Sequence, residues 1–194
     1  MVLGLAGDER PRRNRQHPGG DRQPDRPAPR HAQPPPRLSG GDPDKVVFSG
    51  VGKTEAEMEA ALVADILCFN VESASELDQL AAVAARMGKV APVSFRVNPD
   101  VDPLTHPYIS TGLEKSKFGV AFADAPVLYR RAAGMPSITV LGIDMHIGSQ
   151  ITELGPYREA AGRLFSLVDA LAGEGIALAH VDVGGGLGVR YRDE

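Results

Sequence analysis

Beyond residue 45 the chain alternates short apolar runs with stretches whose apolar residues recur every three or four positions. Val46-Val47-Phe48-Ser49 is β-branched and aromatic and ends at Gly50, the pattern of a buried parallel strand. Thr54 and Glu57 then stand three apart ahead of Met58, Ala61 and Leu62, which predicts a helix with a capping box and one apolar face. Leu67–Val71 reads as the next strand. Ser73 and Glu76 predict a second capping box, with Leu77, Leu80, Ala81 and Ala84 as the buried stripe. Pro92–Val97 is a third strand, closed by Asn98-Pro99-Asp100, and a long loop runs on to Ser116. Asp124 is expected to cap a helix that stops at Gly134. Thr139–Ile147 reads as the fourth strand, Glu153–Ala172 as a long helix, and Ala177–Val183 as the fifth strand. That long helix is expected to face the core through Tyr157, Ala161, Leu164, Val168 and Leu171.

Strands joined by helices predict a parallel α/β fold with right-handed crossovers. A doubly wound sheet and part of a (β/α)8 TIM barrel both suit the pattern. Polar and glycine-rich signals fall at the strand ends, at Ser49-Gly50, Asn70, Asn98, His146–Ser149 and Gly184–Gly186. In a barrel those ends line one mouth, where the active site sits. A full barrel takes about 250 residues, and five strands do not close, so the body reads as incomplete, with open sheet edges.

Composition divides the chain in two. Between Asp8 and Arg37 the apolar residues are Ala28 and Ala32 alone, and residues 1–45 hold 9 of the 16 prolines. That stretch carries 9 Lys and Arg against 6 Asp and Glu, leaving 12 against 19 for residues 46–194. The expected organisation is an Arg/Pro-rich arm over 1–39 and an acidic globular body over 40–194. Too apolar-poor to offset its ordering entropy, the arm reads as disordered. Its patternless mix also fits a GC-rich coding region read out of frame, or a miscalled start. Acidic residues dilute its arginines and no aromatics interleave them, so nucleic-acid binding is not expected.

Cys68 is the one cysteine, which excludes an intrachain disulfide framework and a multi-cysteine zinc site; no metal is expected. Its neighbours Ile66, Leu67 and Phe69 predict a buried, unreactive thiol. No apolar run approaches a membrane span, and Met1–Gly7 lacks the charge order of a secretory signal. The expected setting is the cytoplasm.

Three features carry candidate chemistry. Val181-Asp182-Val183 runs into Gly184-Gly185-Gly186-Leu187-Gly188, where backbone N–H groups free of Cβ atoms can surround a phosphate. The spacing is neither G-x-G-x-x-G nor a P-loop, and a tight structural turn is an equal reading. His146, followed by Gly148 and Ser149, ends a strand where an imidazole can stack on a flat ring and a hydroxyl can reach a phosphate. Two such turns one βα unit apart describe a grip on a single phosphorylated, planar ligand. Arg96 lies inside an apolar strand, where a guanidinium requires a bound anion or a carboxylate partner. His106, Lys115 and Lys117 sit on the long polar loop and read as solvated.

Together, His146-Ile147-Gly148-Ser149-Gln150, Gly184–Gly188 and Phe95-Arg96-Val97-Asn98-Pro99 resemble the pyridoxal-phosphate (PLP) decarboxylases of the alanine-racemase-like barrel fold. The stretches His106–Gly112, Ser116–Gly119 and Phe48–Thr54 resemble the diaminopimelate decarboxylases more than their ornithine or arginine relatives. The resemblance covers about Gly40 to Glu194 and implies a partial (β/α)8 TIM barrel of the alanine-racemase-like kind, incomplete at both ends. It implies PLP as cofactor, with His146 stacked on the ring and Arg96 near the ring's polar edge. Ser149 and the amides of Gly184, Gly185 and Gly186 would hold the phosphate. It implies decarboxylation of meso-diaminopimelate to L-lysine and CO2 in lysine biosynthesis, by a homodimer. The alternatives are an arginine-, ornithine- or carboxynorspermidine-type decarboxylase, or a non-catalytic PLP-binding remnant.

One departure stands out. The family's aldimine lysine lies on a strand about forty residues before Phe48, and no lysine precedes Lys45 in this chain. Lys53 follows the wrong strand to replace it. With that lysine absent and the family's C-terminal β-domain expected beyond Glu194, the chain reads as an inactive internal fragment.

Overall fold

The computed structural model describes residues 2–4, 42–101 and 118–189. The arm from residue 5 to 41, and the loop bearing His106, Lys115 and Lys117, lie outside the described residues.

Strands β1 (Val2–Gly4), β2 (Val47–Phe48), β3 (Cys68–Val71), β4 (Ala91–Asn98), β5 (Val120–Ala121), β6 (Ile138–Asp144) and β7 (His180–Asp182) form one sheet in the order β1-β7-β6-β4-β3-β2, with β5 beside β4. Helices α1 (Glu55–Ala64), α2 (Ala74–Arg86), α3 (Ala125–Ala133) and α4 (Gly155–Gly173) connect them. From β2 to β7 every neighbouring pair is parallel. This sequential parallel order is a half-barrel, in keeping with the barrel alternative. Two strands had no signal in the pattern: β5, a two-residue piece, and β1, which pairs antiparallel with the outer edge of β7 inside the stretch expected to be arm.

Side chains alternate across the sheet with the strand period of two. Val71, Phe95, Ile143 and Val181 are register neighbours and belong to the hydrophobic core beneath the helices. On the other face the rows read Asn70–Ser94–Gly142–His180 and then Arg96–Asp144–Asp182. The register between β4 and β6 shifts at Val93/Ser94, a bulge that skips Leu141 and brings Asp144 level with Arg96. The polar face is therefore a product of pleat and register.

The helices start as their sequences dictate, with two exceptions. At α1 the Thr54 hydroxyl accepts from Glu57 N while Glu57 Oε2 accepts from Thr54 N, a complete capping box. At α2 only half the expected box forms. Ser73 accepts from Glu76 N, but the Glu76 carboxylate turns to Glu72 N and Lys53 instead. Asp124 precedes α3 without a side-chain cap bond, since its backbone is already helical, and Gly134 ends the helix in right-handed geometry. The buried face of α4 is turned from the expected stripe. Pro156, Ala160, Leu164, Leu167 and Leu171 are buried, while Tyr157, Ala161 and Val168 are half-buried. Tyr129 from α3 locks the centre, edge-on to Phe95 at 4.7 Å and donating to Gly142 O at 2.8 Å. Among the described residues no helix is long and apolar enough to cross a membrane, and no cluster of metal-ligating side chains is present.

Candidate functional site

A cavity of about 590 Å³ opens over the C-terminal ends of β2, β3, β4, β6 and β7. Its wall takes Ser49 and Gly50 from the loop after β2, Glu72 after β3, Arg96 from β4, and Phe118 before β5. Asp144 and His146 come from the end of β6, and Asp182, Gly184 and Gly185 from β7 and the turn after it. Of the residues singled out in the sequence, Arg96, His146, Gly184 and Gly185 thus share one cavity. Ser149 and Gly186 are not part of that wall but adjoin each other next to it: a Cβ added to Gly186 would lie 3.3 Å from Ser149 Cα.

The two glycine-bearing turns are stitched to each other. Ile151 N donates to Gly186 O at 2.9 Å and Gly188 N to Ile151 O at 2.9 Å, around a parallel bridge between Ile151 and Leu187. Close approach and positive φ demand glycine at two positions. A Cβ on Gly184 (φ 72) would meet Met145 O at 2.2 Å, and one on Gly186 (φ 99) would meet Gly148 O at 1.8 Å. Gly185 differs, since a Cβ there meets nothing within 4 Å. From α4, Tyr157 donates to Gly185 O at 2.7 Å and fixes the turn from behind. The Gly184 N–H donates to Asp182 Oδ1 at 2.8 Å, so this amide is engaged by a carboxylate of its own strand. The bare backbone offered to the cavity is that of Gly185.

Charge is dense around this opening. Arg96 Nη1 lies 3.4 Å from both carboxylate oxygens of Glu72, a long forked ion pair, and its guanidinium sits 5.7 Å from the Phe118 ring centre. The carboxylate partner that a guanidinium in an apolar strand requires is therefore Glu72. Asp144 and Asp182 stand side by side on neighbouring strands. Burial, then the Asp182 charge, pushes the Asp144 carboxyl up to about 7, against the pull of Arg96. Burial, then Arg96, holds the His146 imidazole below the usual histidine range, which Asp182 only partly offsets. His146 is thus a neutral ring at neutral pH, suited to stacking.

Lys53 is buried, with its Nζ donating to Glu76 Oε1 at 2.6 Å and to the carbonyls of Gly50 and Asn70 at 2.7 Å each. An ammonium with three filled acceptors is a rivet between loop and strand, as its place after the wrong strand suggested. Glu72, Asp144 and Asp182 were not singled out from the sequence. The signal that marked Arg96, a charge inside an apolar strand, marks Asp144 and Asp182 equally.

The residues fit a flat anionic ligand such as PLP. A neutral imidazole, a guanidinium and bare glycine backbone converge on one opening with an aromatic side wall. Residues 37–194 match the family model described as pyridoxal-dependent decarboxylase, pyridoxal binding domain. The chain is 60% identical over 156 residues to the diaminopimelate decarboxylases of Neisseria meningitidis serogroup A and Pseudomonas aeruginosa, covering 80% of this chain and 38% of each relative. It is similar to the crystal structure of diaminopimelate decarboxylase from Helicobacter pylori complexed with L-lysine, with TM-score 0.74 and 43% identity over 78% of this chain and 39% of that one. The diaminopimelate decarboxylase of M. jannaschii in co-complex with L-lysine aligns with TM-score 0.70 and 42% identity, over 78% of this chain and 36% of that one. The chain spans about 38% of the length of the curated relatives it matches.

Proposed function

Because the chain belongs to the pyridoxal-dependent decarboxylases through their pyridoxal-binding domain, we propose that it is the cofactor-gripping part of a diaminopimelate decarboxylase. The intact enzyme, a cytoplasmic homodimer, converts meso-diaminopimelate to L-lysine and CO2. The observation that carries this reading is the convergence of His146, Arg96 and Gly185, from three different strand ends, on one cavity. The 60% identity to diaminopimelate decarboxylases supports the choice of substrate.

The roles follow from the donor set. Gly185, whose backbone lines the cavity, is the amide donor to the phosphate, with Gly186 and Ser149 on the adjoining turns as the further amide and hydroxyl donors. His146 stacks on the ring as a neutral imidazole, which avoids placing a second cation against the pyridine. Arg96 presents its guanidinium to the ring's polar edge. When bound, PLP supplies the electron sink that accepts the pair left behind as a carboxylate departs as CO2. Phe118 and Val51 supply an apolar rim to the opening. The lysine that anchors the cofactor in this family does not come from Lys53, whose ammonium is tied to three acceptors.

Two measurements test the reading. The chain is expected to bind PLP at least about tenfold more tightly than pyridoxal, since the phosphate contacts are charge-assisted. Borohydride is expected to trap no stoichiometric adduct at a single lysine. Equal affinity for the two, or a stoichiometric lysine adduct, overturns the assigned grip. For the substrate, residues 40–194 replace the matching segment of the Pseudomonas aeruginosa relative. The chimera is expected to release CO2 from meso-diaminopimelate. A chimera that binds PLP but releases CO2 only from ornithine or arginine overturns the substrate.

A further inference from the structure

The carboxylate that faces Arg96 is anchored from several directions. Glu72 is 5% exposed, yet it links two walls of the cavity. Its Oε1 accepts from Gly50 N at 3.2 Å, while both of its oxygens face Arg96 Nη1. Its own backbone N–H donates to Glu76 Oε2 at 3.1 Å, and Glu76 holds the buried Lys53 ammonium, which returns to Gly50 O. The circuit Gly50–Glu72–Glu76–Lys53–Gly50 is closed, so the carboxylate has little freedom to follow a moving partner. Arg96 has a competing anchorage, because Asp144 is its register neighbour on β6 and Asp182 lies next beyond on β7. A guanidinium carries five donors and cannot lose its proton, so it turns to whichever anion is best placed.

We propose that Glu72 is a positioning residue: its carboxylate holds the Arg96 guanidinium toward the Gly50–Lys53 loop and away from the Asp144–Asp182 pair. The cation is thereby kept where it meets the polar edge of the cofactor. Glu72 engages Nη1, and the remaining donors of the fork are available to a ligand oxygen. The role toward the cofactor rests on the reading of this cavity as a PLP site. The orientation of Arg96 does not.

The test is a double-mutant cycle of Glu72→Gln and Arg96→Gln. Glutamine keeps the shape of residue 72 and an acceptor for Gly50 N, and removes the charge that holds the guanidinium. One readout is the titration of the Asp144 carboxyl by carbon-13 NMR. Asp144 is faced by Arg96 from β4, Asp182 from β7, Glu72 after β3 and Lys53 from the loop after β2. In Glu72→Gln the midpoint is expected to fall by about one pH unit as Arg96 turns toward Asp144. In the Arg96→Gln background the same substitution is expected to move it by less than half as much. The second readout is PLP affinity, expected to weaken about tenfold in Glu72→Gln and to change little when Arg96 is already glutamine. Equal effects of Glu72→Gln with and without Arg96, in both readouts, overturn the proposal.

Should Glu72→Gln not fold, the unaltered chain still decides. Hindered guanidinium rotation in Arg96, seen as separate Nη1 and Nη2 resonances, is expected, and a single averaged resonance overturns the proposal. If the unaltered chain binds no PLP, the activity reading fails alone. The Asp144 titration and the guanidinium resonances then still test Glu72.

Discussion

Gly186→Ala and Gly185→Ala, one residue apart, are expected to fail in opposite ways. At Gly186 the new methyl carbon would be placed 1.8 Å from Gly148 O and 2.9 Å from Gly148 C, both backbone atoms of the facing turn. Relief to ordinary contact near 3.4 Å requires the two turns to part by more than an ångström, which breaks the pair of 2.9 Å bonds between Ile151 and residues 186 and 188. Alanine in left-handed backbone adds about 1–2 kcal/mol, and overpacking adds about 1–3 kcal/mol. A loss of about 2–5 kcal/mol follows. With a urea m-value of about 2 kcal/mol/M, the unfolding midpoint drops by about 1–2.5 M. At Gly185 the added methyl meets nothing within 4 Å, so stability is expected to hold or rise by a few tenths of a kcal/mol through the unfolded chain. Gly185 lines the cavity, and PLP affinity is expected to fall while the melt is unchanged. Urea titration followed by circular dichroism gives the first quantity and PLP fluorescence the second. A Gly186→Ala chain that unfolds at the unaltered midpoint would refute the steric argument. Parallel losses of stability in both variants would refute the distinction between them.

Other outcomes follow from buried groups. Asp144 binds its proton more tightly folded than unfolded, so between about pH 4 and 7 the folded state holds more protons and stability falls as pH rises. Asp144→Asn is expected to remove that slope and to gain about 2–4 kcal/mol at pH 8; an unchanged slope in urea midpoints from pH 5 to 8 counts against it. Burial, then Asp144 and Asp182, pushes the Cys68 thiol up to about 12, so a thiol reagent at pH 8 is expected to label it only as fast as the chain unfolds. Rapid native labelling would contradict its packing. Lys53→Met strands Glu76 and two carbonyls, and is expected to cost about 3–5 kcal/mol by urea titration. A loss below 1 kcal/mol would show that the ammonium is not the rivet described.

The sequence carried the strands and helices of the body because apolar runs there are set by burial, and burial repeats with each element's period. Thr54 and Glu57 announced their capping box because both partners are local. Ser73 and Glu76 have the same spacing and did not complete theirs. A carboxylate three residues along has a stronger claimant in a buried ammonium from another loop, and that claim is invisible in a local pattern. Arg96, His146 and the glycine turn were legible since each is chemically out of place in an apolar strand end. The Arg96–Asp144–Asp182 row was not, because it depends on a bulge at Leu141 that no residue type announces. The rotated face of α4 has a similar origin. Tyr157 is drawn half out of the core to reach Gly185 O, and the helix turns with it.

The stitching of the two turns bears on how a ligand would leave. His146 stands on one turn and Gly185 on the other, and the bonds between Ile151 and residues 186 and 188 tie the two into one cooperative patch. Freeing one turn requires rupturing the bonds that hold its neighbour, so a half-open grip, with the ring released and the anion retained, is not a stable intermediate. Release should then proceed in a single exponential step. The amides of Ile151 and Gly188 should exchange with solvent at one shared rate, and slow together when the cavity is filled.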